Sequence, residues 1–205
     1  MQANFSYDLW ANGYDKYCGL SYEANTYPFA GHKMILAKIY NDVLVHQGNK
    51  VLDIGFGTAL LSFKLYEKGV EIYGQELAKR LIDFAKSKMP KAELYRGDIV
   101  EGIVPELKQY KYDVIIATYA LHHLSDAQKV KFIKELMPLL NEGGSIYIGD
   151  IAFKSRDLLE KCKAEAQNKW DHNVTYFVYD ELVKAIPELK FEAISDCSAI
   201  LSINK

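Results

Sequence analysis

Residues 51–62 read VLDIGFGTALLS, an apolar run that stops at Gly55-Phe56-Gly57 and resumes with apolar residues at helical spacing. A short apolar run broken at once by glycines predicts a strand, a tight turn and the start of a helix. Glycines at 55 and 57 let the backbone turn sharply and approach a ligand with no Cβ in the way. The pair alone fits a plain turn as well as a nucleotide-like cofactor loop, so its neighbours must decide.

From Lys50 onward the chain repeats this pattern. Apolar runs at Val51–Ile54, Val70–Tyr73, Ala92–Tyr95, Asp113–Thr118 and Ser145–Ile148 alternate with segments of helical period, which predicts βαβ units and a parallel sheet. Thr58–Lys68 and Lys79–Met89 read as helices, the second stopped by Pro90. Ser125-Asp126-Ala127-Gln128 fits a capping box ahead of the apolar face Val130, Ile133, Met137 and Leu140. Ser155–Asn168 and Tyr179–Ile186 are further helical segments, and Gly143-Gly144 reads as the turn between a helix and the fifth strand. Phe191–Ile194 and Ala199–Ile203 are joined by a connection too short for a parallel crossover, so they form an antiparallel hairpin.

Upstream of Gly48 the sequence is helical and aromatic. Tyr7, Trp10, Tyr14 and Tyr17 share one helix face, and Met34, Ile35, Lys38 and Ile39 mark a second amphipathic helix. The 205 residues suit one domain over 1–205, with 1–47 as a helical cap or lid segment and 48–205 as the core. A formal net charge of −2 supplies no basic field for a polyanion, which argues against nucleic acid as substrate. No run of about 20 apolar residues and no leader pattern occurs, so a soluble cytoplasmic protein without membrane contact is expected. Cys18, Cys162 and Cys197 are odd in number and far apart, and suggest neither a disulfide framework nor a metal site. Nothing in the sequence sets an oligomeric state.

Glu76 closes the second strand run 21 positions after Gly55, where an acid can accept hydrogen bonds from both ribose hydroxyls. Asp98, in Arg96-Gly97-Asp98 after the third strand, puts a second carboxylate on the same rim, where it can take an adenine amino group. A dinucleotide loop calls for a third glycine at position 60, which is Leu60, so the pyrophosphate fit is poor.

VLDIGFGTALLS, YGQEL, RGDI, DVIIATYALHHLSD and LLNEGGSIYIGDI, in that order, resemble the motif series of class I S-adenosylmethionine-dependent methyltransferases. WANGYDKYCG and TYALHHLSDAQK extend the resemblance to small bacterial methyltransferases whose substrates are mostly unassigned. The resemblance implies a Rossmann-like α/β fold: a seven-stranded sheet, mostly parallel with a C-terminal antiparallel hairpin, and helices on both faces. It implies S-adenosylmethionine as cofactor and a small-molecule acceptor. Asp53, Gly55 and Gly57 would surround the methionine part, Glu76 the ribose, Leu77 and Ile99 the adenine faces, and Asp98 the adenine amino group. Thr118, Tyr119 and Ala120 would line the cofactor near its sulfur, and Tyr14 would close over the methionine carboxylate. Two departures stand out: Ala59, where the family often has glycine, and bulky Phe56, where it usually has a small residue.

Methyl transfer from a sulfonium needs alignment above all, and a base only where the nucleophile arrives protonated. His122 and His123 follow the fourth strand on the ligand-binding rim, and His123 is taken as the first candidate base with His122 as the second. Asp150, at the end of the fifth strand, is a secondary candidate for binding a cationic substrate or for a loop role. His32, His46 and His172 show no ligand spacing, so no metal is expected. Two other readings remain open from sequence: a non-catalytic protein that binds S-adenosylmethionine as a sensor or interaction module, and an NAD-dependent oxidoreductase.

Overall fold

In the computed structural model the described residues are 27–45 and 49–205. Apolar strands, the central ones buried on both faces, build the sheet: β1 (Lys50–Ile54), β2 (Glu71–Glu76), β3 (Glu93–Arg96), β4 (Tyr112–Thr118), β5 (Leu140–Phe153), β6 (Phe177–Val178), β7 (Lys190–Ala193) and β8 (Ser198–Asn204). The order is β3-β2-β1-β4-β5-β8-β7, parallel up to β5 and antiparallel through β8 and β7. The expected seven-stranded sheet with a terminal hairpin is present, and the two-residue β6, which pairs with the end of β5, is an addition.

Side chains alternate between two cores. Leu52, Ile54, Ile115, Ala117, Ile146 and Ile148 face one layer, packed by helix α4 (Asp126–Leu136) and by α6 (Tyr179–Leu182). Val51, Val114, Ile116 and Tyr147 face the other, packed by α1 (His32–Val45), α2 (Leu60–Tyr66) and α3 (Lys79–Lys88). α1 docks so closely that a Cβ on Gly149 would lie 2.2 Å from Ile35 Cγ2. A third cluster, with Ile151, Phe153, Tyr176 and Leu159 of α5 (Arg156–Ala166), covers the far end of β5.

Local signals place these elements as expected in most cases. Both halves of the capping box form: Gln128 N–H donates to Ser125 Oγ, and Ser125 N–H donates to Gln128 Oε1. α3 ends before Pro90. Gly143-Gly144 departs from expectation, because the pair lies inside β5 rather than before it. The register against β4 shifts between Tyr112↔Leu140 and Val114↔Ser145, a bulge in which Gly143 takes φ +75°. A Cβ on Gly144 would press within 3.2 Å of the carbonyl oxygens of Asn141, Asp113 and Tyr112, so this glycine serves close backbone approach.

The chain leaves β1 for β2 and β3 on one side, then crosses to β4 on the other. The carboxyl ends of β1 and β4 therefore flank a topological switch point, where open α/β sheets bind ligands.

Candidate active site

The glycine loop sits at that switch point. Gly55 has φ +64° and Gly57 φ +52°, and a Cβ on Gly55 would lie 2.6 Å from the Cβ of Ala120. The loop backbone is thus packed directly against Ala120, in the segment after β4. Ala59, one of the two departures, also adopts the left-handed region at φ 56°, which explains why glycine suits this position. Phe56, the other, is buried, with its ring over Gly74 of β2: a Cβ there would meet Phe56 Cδ1 at 2.7 Å. The missing side chain at 74 makes room for the added one at 56.

Between loop and β4 lies a cavity of about 110 Å³, lined by Asp53, Gly55, Phe56, Gly57, Thr118 and Tyr119 together with His32 and Leu36 of α1. Asp53 is 2% exposed and accepts a hydrogen bond from Ser62 Oγ at 2.6 Å through Oδ2. Its Oδ1 has no partner among the described residues. Burial above all, with the nearby Glu76 adding to it and Ser62 opposing, pushes its carboxyl up to about 7. An unmatched buried acceptor beside a glycine loop suits a cationic amine, as in the methionine end of the expected cofactor. His32 is held neutral by burial, down to about 4, and its ring lies 4.8 Å from that of Tyr119. No local sequence pattern marks His32 for this place.

Glu76 accepts from Gly57 N–H and Ala78 N–H, both at 3.0 Å, and so ties the β2 rim to the glycine loop. Leu77 is an exposed apolar residue next to it, Ile99 packs at the core margin, and Asp98 Oδ1 accepts from Val100 N–H at 2.9 Å. The 98–104 loop is pinned by Gln75, fully buried in β2, whose amide donates to the Gly102 carbonyl and accepts from Val104 N–H. Gln75 went unnoticed in sequence, although a lone amide inside the apolar run IYGQE was the available signal. Tyr14 lies outside the described residues, as do Tyr7, Trp10 and Tyr17.

On the β4–β5 side the structure joins two residues that sequence treated separately. Thr118 pairs with Gly149, so Asp150 stands beside the segment that follows β4. Asp150 has no solvent exposure; its Oδ1 lies 2.7 Å from His122 Nδ1 and also accepts from Ile151 N–H, and its Oδ2 accepts from His122 N–H. His123 is the more exposed neighbour, with ring centroids 4.3 Å apart. Desolvation first, then the His122 ring, holds His123 below the ordinary histidine range. Around this pair, Trp170 stacks on Tyr27 and meets Tyr176 edge-on, while the Tyr27 and Tyr176 hydroxyls bond each other.

No cluster of three or more potential metal ligands occurs among the described residues, and no described helix is long and apolar enough to cross a membrane.

Residues 51–144 match the family model described as "Methyltransferase domain". An uncharacterized methyltransferase of Anoxybacillus flavithermus is 33% identical over 184 residues, which are 90% of this chain and 84% of that one. One from Bacillus thuringiensis is 31% identical over 188 residues, 91% of this chain and 85% of that one. Among solved structures, the magnesium protoporphyrin IX methyltransferase of Synechocystis with bound SAH has the same fold: TM-score 0.65, 17% identity, 85% of this chain and 84% of that one. A SAM-dependent methyltransferase from Archaeoglobus fulgidus does too, with TM-score 0.62, 17% identity and coverage of 84% and 94%. With relatives named methyltransferases that cover about nine-tenths of the chain, a matching domain model and the sheet order in agreement, the chain belongs to the class I S-adenosylmethionine-dependent methyltransferase family.

Proposed function

We propose that this methyltransferase acts on a small acceptor that arrives protonated, with His122 as general base and Asp150 as the carboxylate that orients it. The observation that carries this reading is the 2.7 Å contact between His122 Nδ1 and a carboxylate with no solvent exposure. A buried carboxylate at Nδ1 favours the Nδ1–H tautomer and leaves the lone pair on Nε2, the arrangement a base requires. His123 has no carboxylate within hydrogen-bond distance among the described residues, which favours its neighbour over it.

When bound, S-adenosylmethionine supplies a methyl carbon already activated by its sulfonium leaving group. The chain's own part is to hold and align. Asp53 with Gly55 and Gly57 would take the methionine end, Glu76 the ribose, and Leu77, Ile99 and Asp98 the adenine. Tyr119 stands between this cradle and the aromatic cluster of Tyr27, Trp170 and Tyr176. The acceptor then enters on the His122 side of Tyr119. Placement of this kind contributes up to about 7–11 kcal/mol to methyl transfer.

A screen of small thiols, amines and carboxylates for S-adenosylhomocysteine formation identifies the acceptor. With it in hand, His122→Ala and Asp150→Asn should each lower turnover about 10²- to 10⁴-fold while cofactor affinity by calorimetry stays within about twofold. His123→Ala should leave turnover within a few fold. The reverse ranking of the two histidines would sink the assignment.

A further inference from the structure

Lys129 of α4 is a cation with no solvent exposure, a costly arrangement unless its protons are matched. Its Nζ donates to Asp126 Oδ1 at 3.0 Å and to the Thr175 carbonyl at 2.5 Å, and lies 4.7 Å from the centroid of the Phe177 ring. Asp126 does not account for the burial. It sits three residues back on the same helix with its side chain 45% exposed, so this pair needs no enclosure. The Thr175 contact does need it. Thr175 N–H in turn donates to the His122 carbonyl at 2.9 Å. Phe177 pairs in β6 with Ala152, two residues beyond Asp150 on β5. Lys129 therefore reaches the His122–Asp150 pair from two directions, one through a peptide and one through a strand.

We propose that Lys129 is a positioning residue for that pair: its ammonium fixes the Thr175 peptide that holds the His122 backbone, and so keeps the His122 ring opposite Asp150. This rests on reading His122 as the base. Sequence offered no sign of it, because a lysine three residues after an aspartate on an amphipathic helix looks like a solvated ion pair. Desolvation lowers the proton affinity of Lys129, and Asp126 above all opposes that loss.

The test is the histidine-labelled chain without cofactor, in which the two ring nitrogens of His122 are assigned by NMR at alkaline pH and their tautomer ratio is read. In the wild type the Nδ1–H tautomer should dominate. In Lys129→Met the Nε2–H tautomer should gain population at the expense of Nδ1–H, and Lys129→Arg, which keeps a donor for the Thr175 carbonyl, should restore the wild-type ratio. A wild-type Nε2–H tautomer would overturn the base reading itself. A wild-type Nδ1–H tautomer with an unchanged Lys129→Met spectrum, or an arginine variant that behaves like methionine, would overturn the role of Lys129 alone. If the methionine variant fails to fold, Lys129→Gln, whose side chain is one bond shorter, is used instead; a gain of the Nε2–H tautomer supports the proposal and an unmoved tautomer ratio overturns it.

Discussion

Asp53 is built for a partner and carries a stability penalty without one. In the folded chain its carboxyl titrates near about 7, against 3.8 ordinarily, because burial disfavours the anion. Between those values the folded state binds a proton that the unfolded state has released, so this group's contribution to stability falls as pH rises through 7. The Asp53→Asn variant removes that dependence and keeps an acceptor for Ser62. Between about pH 5 and 8, urea unfolding should show wild-type protein losing about 2–3 kcal/mol more than the variant. Cofactor binding by Asp53→Asn should be lost at the same time, a trade of stability against function. Equal pH slopes for the two proteins would refute the buried-anion account. The same scale explains the two departures from the family pattern, since Ala59 tolerates a left-handed backbone and Phe56 occupies the space that Gly74 leaves.

At the scale of elements, the glycine loop and β2 are fitted to each other, and the fit is testable as a pair. Gly74→Ala would place a methyl 2.7 Å from Phe56 and 3.0 Å from Leu94, and overpacking of this kind costs about 1–3 kcal/mol. Phe56→Leu added to Gly74→Ala should recover about 1 kcal/mol in denaturation, whereas additive losses would show that the two sites are uncoupled. Element types were legible from period alone: β1 to β5, the capped α4 and the terminal hairpin follow from apolar spacing and turn residues. The bulge at Gly143-Gly144 was not, because a glycine pair marks a turn and a kinked strand alike, and only the carbonyls of β4 distinguish them. The Asp150–His122 pair was half legible. Each residue stood out at a strand's carboxyl edge, yet their contact depends on β4 and β5 being in register at Thr118 and Gly149, which no local pattern states.

At the scale of the whole molecule, strand order does what no single motif can. The switch between β1 and β4 brings residues 53–57 and 118–122 to one crevice, although a full βαβ stretch of chain separates them. The proposed cofactor rim can be read from sequence because its residues sit next to turn glycines and strand ends. Sequence missed Gln75, His32 and Lys129, polar groups inside apolar surroundings, whose partners lie on distant elements. Buried polar residues are set by tertiary hydrogen bonding, and their own neighbours in sequence carry little of it.

The placement of β8 has a kinetic consequence. β8 follows every other described strand in the chain, yet it lies inside the sheet, between β5 and β7. Until it arrives, β5 presents an open edge, and the hairpin that fills this edge forms locally through its own short turn. The hairpin should therefore dock as a unit, late, onto a sheet already folded. Leu201→Ala, a truncation in the core at a residue with no exposure, should accelerate unfolding and leave refolding nearly unchanged, with a φ-value below about 0.3 in stopped-flow chevrons. A φ-value near one would instead put the hairpin in the folding nucleus. Late docking makes release of this one hairpin the rate-limiting event in unfolding, so the lifetime of the native state is governed at the edge of β5.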